Sequence, residues 1–295
     1  MTKTQRGTLE MSSAMIILGT IGWFVIRSGQ PVMNVVFWRC VFGGLTLLII
    51  CAGMGLLRRI TLRQAGIAVL GGVAIVLNWL LLFEAYNHAS ISIATALYNT
   101  QPFMLIGFGA LFFGEKLALS KFAWLGVAFV GLLFIVQAKP DASYLSPNYP
   151  LGIVMALGAA FFWAVAAVIT KKLVAVPPHL IALIQVGVGV VMIIPFAEFS
   201  NLPQSASAWG MLVTVGVVHT GLMYILMYSA VQKLPTHLQG SLSFLYPVVA
   251  ILVDVLALGH TLHMTQFLGV IAILLAAAGM SLGWLWQRLP RLFSK

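Results

Sequence analysis

Charge is scarce in this chain. Of its 295 residues 7 % are charged, and Asp and Glu together number six. A soluble domain carries about 25 % charged residues, and a surface of this size could not stay solvated with so few. Soluble enzymes, nucleic-acid binders and secreted scaffolds are therefore excluded together, and no nucleic-acid partner is expected. Cysteine is scarce as well. Cys40 and Cys51 share one apolar run, about 16 Å apart along a helix axis. That is too far for a disulfide, so they read as small apolar fillers. The sequence has no Gly-rich phosphate loop, no His-x-x-x-His spacing and no nucleophile motif. No catalytic residue, cofactor or metal is expected.

Apolar residues dominate instead, at 61 %, with a mean hydropathy of +1.04. They fall into ten runs: Leu9–Ile26, Met33–Gly53, Gln64–Phe83, Ser90–Phe113, Phe122–Gln137, Leu151–Thr170, Leu180–Ala197, Ala208–Val231, Leu238–Leu258 and Met264–Trp286. A membrane-crossing helix needs about 20 apolar residues. Barrel strands are shorter and alternate in polarity. The expectation is an all-α integral membrane protein of ten transmembrane helices, with membrane lipid as its surroundings. Lys3 and Arg6 precede the first run, but Arg27 follows it where a cleavage site would lie, so a span and not a signal peptide is expected.

The formal charge of +10 comes from the loops. With the N-terminus in the cytoplasm, thirteen Lys and Arg fall inside, and Arg27 and Lys139 fall outside. Arg39 lies within a span. This bias places both termini in the cytoplasm, and short loops suggest a bacterial inner membrane.

The longest break, Ala138–Pro150, contains three prolines and leaves five spans on each side. The halves are read as residues 1–138 and 151–295, with an extracytoplasmic linker at 139–150. At an offset of 145, Pro102 falls on Pro247, Ala85 on Ala230 and Gly114 on Gly259. An odd number of spans makes the second copy enter from the opposite side. The expected architecture is thus two inverted five-helix repeats, as transporters build around a midplane site.

Polar groups at midplane are costly in lipid and usually face the bundle interior. His219 is central in the eighth span, as a neutral histidine bonded to a neighbouring helix or as a cavity group able to meet a carboxylate. Asn78, beside Trp79 in the third, is interhelical glue or cavity lining. Tyr98 and Gln101 precede Pro102 in the fourth span; Ser243 and Tyr246 precede Pro247 in the ninth. Each proline frees a backbone carbonyl, and matched interruptions in the two halves point to a binding site. Trp163, central in the sixth span, lies about 60° from the small-residue face of Gly152, Ala156, Ala160 and Ala164. It walls a cavity or packs against lipid. Arg39 and Asp254 sit near the outer ends of their spans, where snorkelling is cheap. Both are read as structural or as an outer gate. Midplane holds no acidic residue and no cluster of Lys or Arg, so the cavity is expected to be neutral, apolar and aromatic.

Ten spans in two units, prolines matched in the fourth helices, Phe37-Trp38-Arg39 in the second span and Gly114-Glu115 closing the fourth together resemble the drug/metabolite transporter superfamily. The closest likeness is to its ten-helix metabolite exporters, the YddG-type aromatic amino acid exporters especially. The second half departs from the pattern at His260, where Gly-Glu would recur. The resemblance implies export of amino acids or related metabolites, with a small-molecule partner and no cofactor. It also disfavours proton-coupled export of cationic drugs, because the small multidrug members carry an acid in the first helix. Here Glu10 sits at the cytoplasmic edge. The combined expectation is an exporter of neutral, aromatic amino acids working by alternating access, with a monomer as the simplest assembly. Broad-specificity metabolite or drug efflux is the alternative. A membrane enzyme is a remote one, since His260 and His263 on one short loop would be its only catalytic pair.

Overall fold

A computed structural model of the chain describes residues 1–89, 91–115, 119–136, 148–200, 202–258, 263–282 and 284. Their regular structure is all helical, with no strand among the described residues. Ten helical units follow one another: α1 (Lys3–Ser28), α2 (Val32–Gly53), α3 (Leu62–His88), α4 (Ile91–Tyr98 and Gln101–Phe113), α5 (Leu119–Val136), α6 (Tyr149–Lys172), α7 (Pro178–Ile193), α8 (Ala206–Gly216, Val217–Leu222 and Met223–Lys233), α9 (Thr236–Ser243 and Leu245–Leu258) and α10 (Met264–Leu282). Seven are long and apolar enough to cross a membrane: α1, α2, α3, α6, α7, α8 and α9. The residues linking the halves, 137–147, lie outside those described.

Local chemistry sets the boundaries. α1 starts six residues before its apolar run because Thr2 and Gln5 form a capping box. The Gln5 N–H donates to Thr2 Oγ1 at 3.1 Å, and the Thr2 N–H donates to Gln5 Oε1 at 2.8 Å. These bonds satisfy donors that a helix start leaves free. Thr61 and Gln64 do the same for α3. Gly29 ends α1 at φ 62°, a left-handed cap that glycine adopts without strain.

Two helices are interrupted near their prolines. α4 breaks at Asn99–Thr100, just before Pro102, and α9 breaks at Phe244, three residues before Pro247. Side chains cover part of the disrupted backbone. Thr100 Oγ1 donates to the Leu97 carbonyl at 2.7 Å, and Ser243 Oγ donates to the Gly240 carbonyl at 2.7 Å. The two broken helices cross where Gly240 meets Pro102; a Cβ on Gly240 would lie 2.9 Å from the proline Cβ. A third irregularity is a single π-helical turn in α8, Val217–Leu222. Thr220 Oγ1 donates to the carbonyl five residues back, Val215, at 3.1 Å, which matches the wider π spacing.

Packing follows a regular scheme. α1 pairs with α8 as α6 pairs with α3; α1 with α9 as α6 with α4; α2 with α8 as α7 with α3. α2–α7, α4–α9 and α5–α10 pair with each other directly. Exchanging every helix for the one five places away leaves this set unchanged. Small residues make the closest approaches, as in other membrane bundles. Gly152, Ala156, Ala160 and Ala164 are all buried along α6, and Gly152 packs against Ala89 at the end of α3. The scheme has departures, among them α9 packing on α5 with no comparable contact between α4 and α10 among the described residues. α8 also packs on α6 and α7, whereas α3 makes no comparable contact with α1 or α2.

Candidate substrate cavity

The gap that separates α3 from α1 and α2 is a cavity of about 600 Å³. It runs from Met15, Trp163 and Met227 in the middle of the bundle to Ile26, Val32 and Tyr86 at the end holding the α1–α2 connection. α4 and α9 close its floor and side at their breaks, through Tyr98, Gln101, Ser243 and Tyr246. α5 and α10 contribute no lining residue. Most of the wall is aliphatic or aromatic, from Leu18, Ile21, Val35, Leu82 and Phe83 among others.

The opposite end is shut by polar contacts between the halves of the chain. Lys233 Nζ donates to both Glu10 carboxylate oxygens at 2.5 and 2.6 Å. Glu115 accepts from Lys171 Nζ at 2.5 Å, from Thr236 Oγ1 at 2.7 Å and from the Thr236 N–H at 3.0 Å. Glu115 thus joins the end of α4 to the end of α6 and caps the start of α9, where a carboxylate is favoured by the helix dipole. Burial alone would raise its carboxyl pKa. The Lys171 ammonium and the Thr236 donors outweigh that and hold it below the ordinary 4.5. Within the second half, Gln232 Nε2 donates to the Leu173 and Val176 carbonyls, at 3.0 Å each, and ties α8 to the α6–α7 connection at this end. The partners of Glu115 are remote in sequence, and Lys116 lies outside the described residues.

Five of the seven residues expected to bind substrate meet in the cavity: Tyr98, Gln101, Trp163, Ser243 and Tyr246. Gln101 is 3 % exposed, and its Oε1 has no hydrogen-bond partner. Tyr246 Oη accepts from Asn99 Nδ2 at 3.0 Å, tying the breaks of α9 and α4 together. The other two lie elsewhere. Asn78 Nδ2 donates to the Ala159 carbonyl of α6 at 2.8 Å, and Asn78 is not among the lining residues. Adjacent helical residues point about 100° apart. Asn78 follows the buried face of Gly71 and Ile75, which leaves its neighbour Trp79 to face the cavity. His219 sits at the α1–α8 contact. Its Nε2 is 2.8 Å from Thr20 Oγ1 and its Nδ1 is 3.5 Å from the Thr214 carbonyl, with Phe24 against its ring. Of the residues read as a gate or as structural, Arg39 lines the cavity. Asp254 belongs to α9, but its side chain is outside those described.

Arg39 is the charged residue of the wall, and it is buried. It lies seven residues into α2, and its burial shows that it packs inside the bundle instead of snorkelling out. Its Nε donates to Thr220 Oγ1 at 3.2 Å, and its guanidinium carbon is 4.9 Å from the Trp79 ring centroid. The π turn of α8 makes this possible, since it directs Thr220 to α2 while the preceding His219 faces α1. Trp79 and the π turn are what the sequence reading missed. The position of Arg39 within a span was the available signal; nothing local marked the π turn.

A bundle of apolar helices around a one-ended cavity defines a multi-pass membrane transport protein. The profile of the EamA-like transporter family matches the chain twice, over residues 6–137 and 150–282, and the chain belongs to that family. It is 30 % identical over 277 residues to the uncharacterized transporter YxxF of Bacillus subtilis (strain 168), covering 93 % of this chain and 88 % of that protein. It is 28 % identical over 207 residues to the threonine/homoserine exporter RhtA of Escherichia coli (strain K12), covering 68 % of this chain and 66 % of RhtA. A solved crystal structure shares the fold with a TM-score of 0.84 at 21 % identity, covering 96 % of this chain and 99 % of the other.

Proposed function

We propose that the chain exports neutral amino acids, aromatic ones among them, from the bacterial cytoplasm by alternating access. The observation that carries this reading is the cavity itself, open at one end, reaching the middle of the bundle and latched at the other end by Glu10–Lys233 and Glu115–Lys171. The two halves, 1–138 and 151–295, act as inverted repeats in this account. Most of their helix pairing survives exchange, and the departure that bears on the cavity is the extra packing of α8 on α6 and α7 opposite the open gap beside α3. Exchanging the two local arrangements closes the gap and opens one at the latched end. An inverted repeat provides two such states at little cost. The bias of Lys and Arg toward the latched end supports a cytoplasmic assignment for it and for both termini, with the open mouth outside.

Trp163 forms an apolar wall for the substrate side chain, and Tyr98, Gln101, Ser243 and Tyr246 offer hydroxyl and amide groups to its polar atoms. Pro102 and Pro247 keep the two breaks from closing into regular helix. The exporter name of the relative RhtA supports an amino acid cargo. The test is counterflow: proteoliposomes preloaded with unlabelled phenylalanine should accumulate labelled phenylalanine, and other aromatic amino acids should block it. Folded protein that accumulates none contradicts the amino acid reading. The largely aliphatic wall favours broad metabolite or drug efflux as the second reading, for which competition would be indifferent to the α-amino acid group.

A further inference from the structure

Arg39 is a cation buried in an apolar bundle, and its surroundings are neutral. Thr220 Oγ1 accepts from Nε, the Tyr224 side chain is in hydrogen-bonding contact, and the Trp79 face lies beneath the guanidinium. None of the four carboxylates with described side chains pairs with it. Glu10 is held by Lys233 and Arg6, Glu84 by His88, and Glu115 by Lys171; the Glu198 backbone is held by Asn34. A buried charge with no counter-ion among the described side chains is expensive, and in membrane proteins such a group marks a substrate or ion path. A guanidinium has five donors in a planar fork that matches a carboxylate. Thr220 occupies Nε and Tyr224 takes one position on the fork, which leaves further terminal N–H donors for another partner, and the residue lines the cavity. Gln101 also lines the cavity, and its Oε1 is an acceptor without a donor, buried behind the wall.

We propose that Arg39 is the anion subsite of this cavity and makes a free carboxylate on the ligand a requirement for binding. The single guanidinium suits a monoanion, and Gln101 Oε1 is the complementary acceptor for an ammonium group. This deepens the export reading and rests on it for the route across the membrane, not for binding.

The test is equilibrium binding to the full chain in nanodiscs, read by tryptophan fluorescence. The probes are phenylalanine, threonine, 3-phenylpropionate, phenylalaninamide and phenethylamine. Carboxylate-bearing probes should bind at least about tenfold more tightly than the two without one, as charge-assisted hydrogen bonds predict. Arg39→Gln should erase that preference, and Arg39→Lys should keep part of it. If Arg39→Gln does not fold, Thr220→Val retains the cation, removes the hydroxyl that aims it, and should weaken the preference severalfold. Equal binding of phenethylamine and 3-phenylpropionate, no binding of any carboxylate, or a preference that survives these variants overturns the proposal. Carboxylate-selective binding without phenylalanine counterflow upholds the subsite and defeats the amino acid export reading. Counterflow without carboxylate preference does the reverse.

Discussion

The Arg39 guanidinium carbon lies 4.9 Å from the Trp79 ring centroid, joining α2 to α3 across the cavity wall. The contact has an energetic purpose. An arginine at the centre of a membrane helix costs about 2.5–3.5 kcal/mol on insertion scales, and one buried nearer the end costs part of that. A desolvated cation–π contact returns about 2 kcal/mol or more. Trp79→Leu should therefore lower unfolding stability by about 1–2 kcal/mol and weaken carboxylate binding severalfold. Thermal unfolding and ligand titration of the same preparation check both.

Glu115 holds the closed end through three elements. Glu115→Gln keeps the shape but removes the charge, weakening charge-assisted hydrogen bonds that contribute about 1.5–3 kcal/mol each. The expected result is a population shift of about tenfold or more toward opening at that end. Val231→Cys, buried near the latch, reports it. Its labelling by a membrane-impermeant maleimide should accelerate about tenfold when Glu115→Gln is added.

The same carboxylate sets a pH dependence. Its pKa in the folded protein lies below the ordinary 4.5. The bonds are thus fully formed above that ordinary value and are lost as pH falls through the lowered one. Latch stability should be flat at neutral pH and fall only in acid. The distance between spin labels at Lys3→Cys and Lys172→Cys should lengthen below about pH 4.5 with Glu115 present, and that acid-dependent change should be missing in Glu115→Gln.

Asn78 and Trp163 separate packing from binding. Asn78 bonds α6, so Asn78→Ala should cost about 0.6–1.7 kcal/mol, the range for interhelical hydrogen bonds in membranes. The order of preference among substrates should not change. Trp163→Ala enlarges the cavity and should favour bulkier side chains with little loss of expression. Unfolding measurements and competition counterflow on both variants check the pair.

The helices were legible in the sequence because lipid leaves a chain few options. Ten apolar runs became ten helical units, and prolines 102 and 247 marked the breaks of α4 and α9. Boundaries shifted where polar caps extend helices beyond their apolar runs, as Thr2 and Gln5 do for α1. The site was legible in part. Tyr98, Gln101, Ser243 and Tyr246 cluster because both proline breaks turn to one cavity. Asn78 and His219 could not be placed from sequence, since polarity at midplane does not distinguish a side chain bonded to the next helix from one facing a cavity. Arg39 lies near the span end, as its position suggested, but turns into the bundle instead of out to the interface. The partner that aims it, Thr220, is positioned by a π turn that hydropathy does not reveal.

Paired distances test alternating access most directly. Spin labels at Ile26→Cys and Asn87→Cys flank the open mouth, and labels at Lys3→Cys and Lys172→Cys flank the latched end. Adding phenylalanine to the protein in nanodiscs should shorten the first distance and lengthen the second in the same sample. Distances that stay fixed, or that change in the same direction, contradict the account.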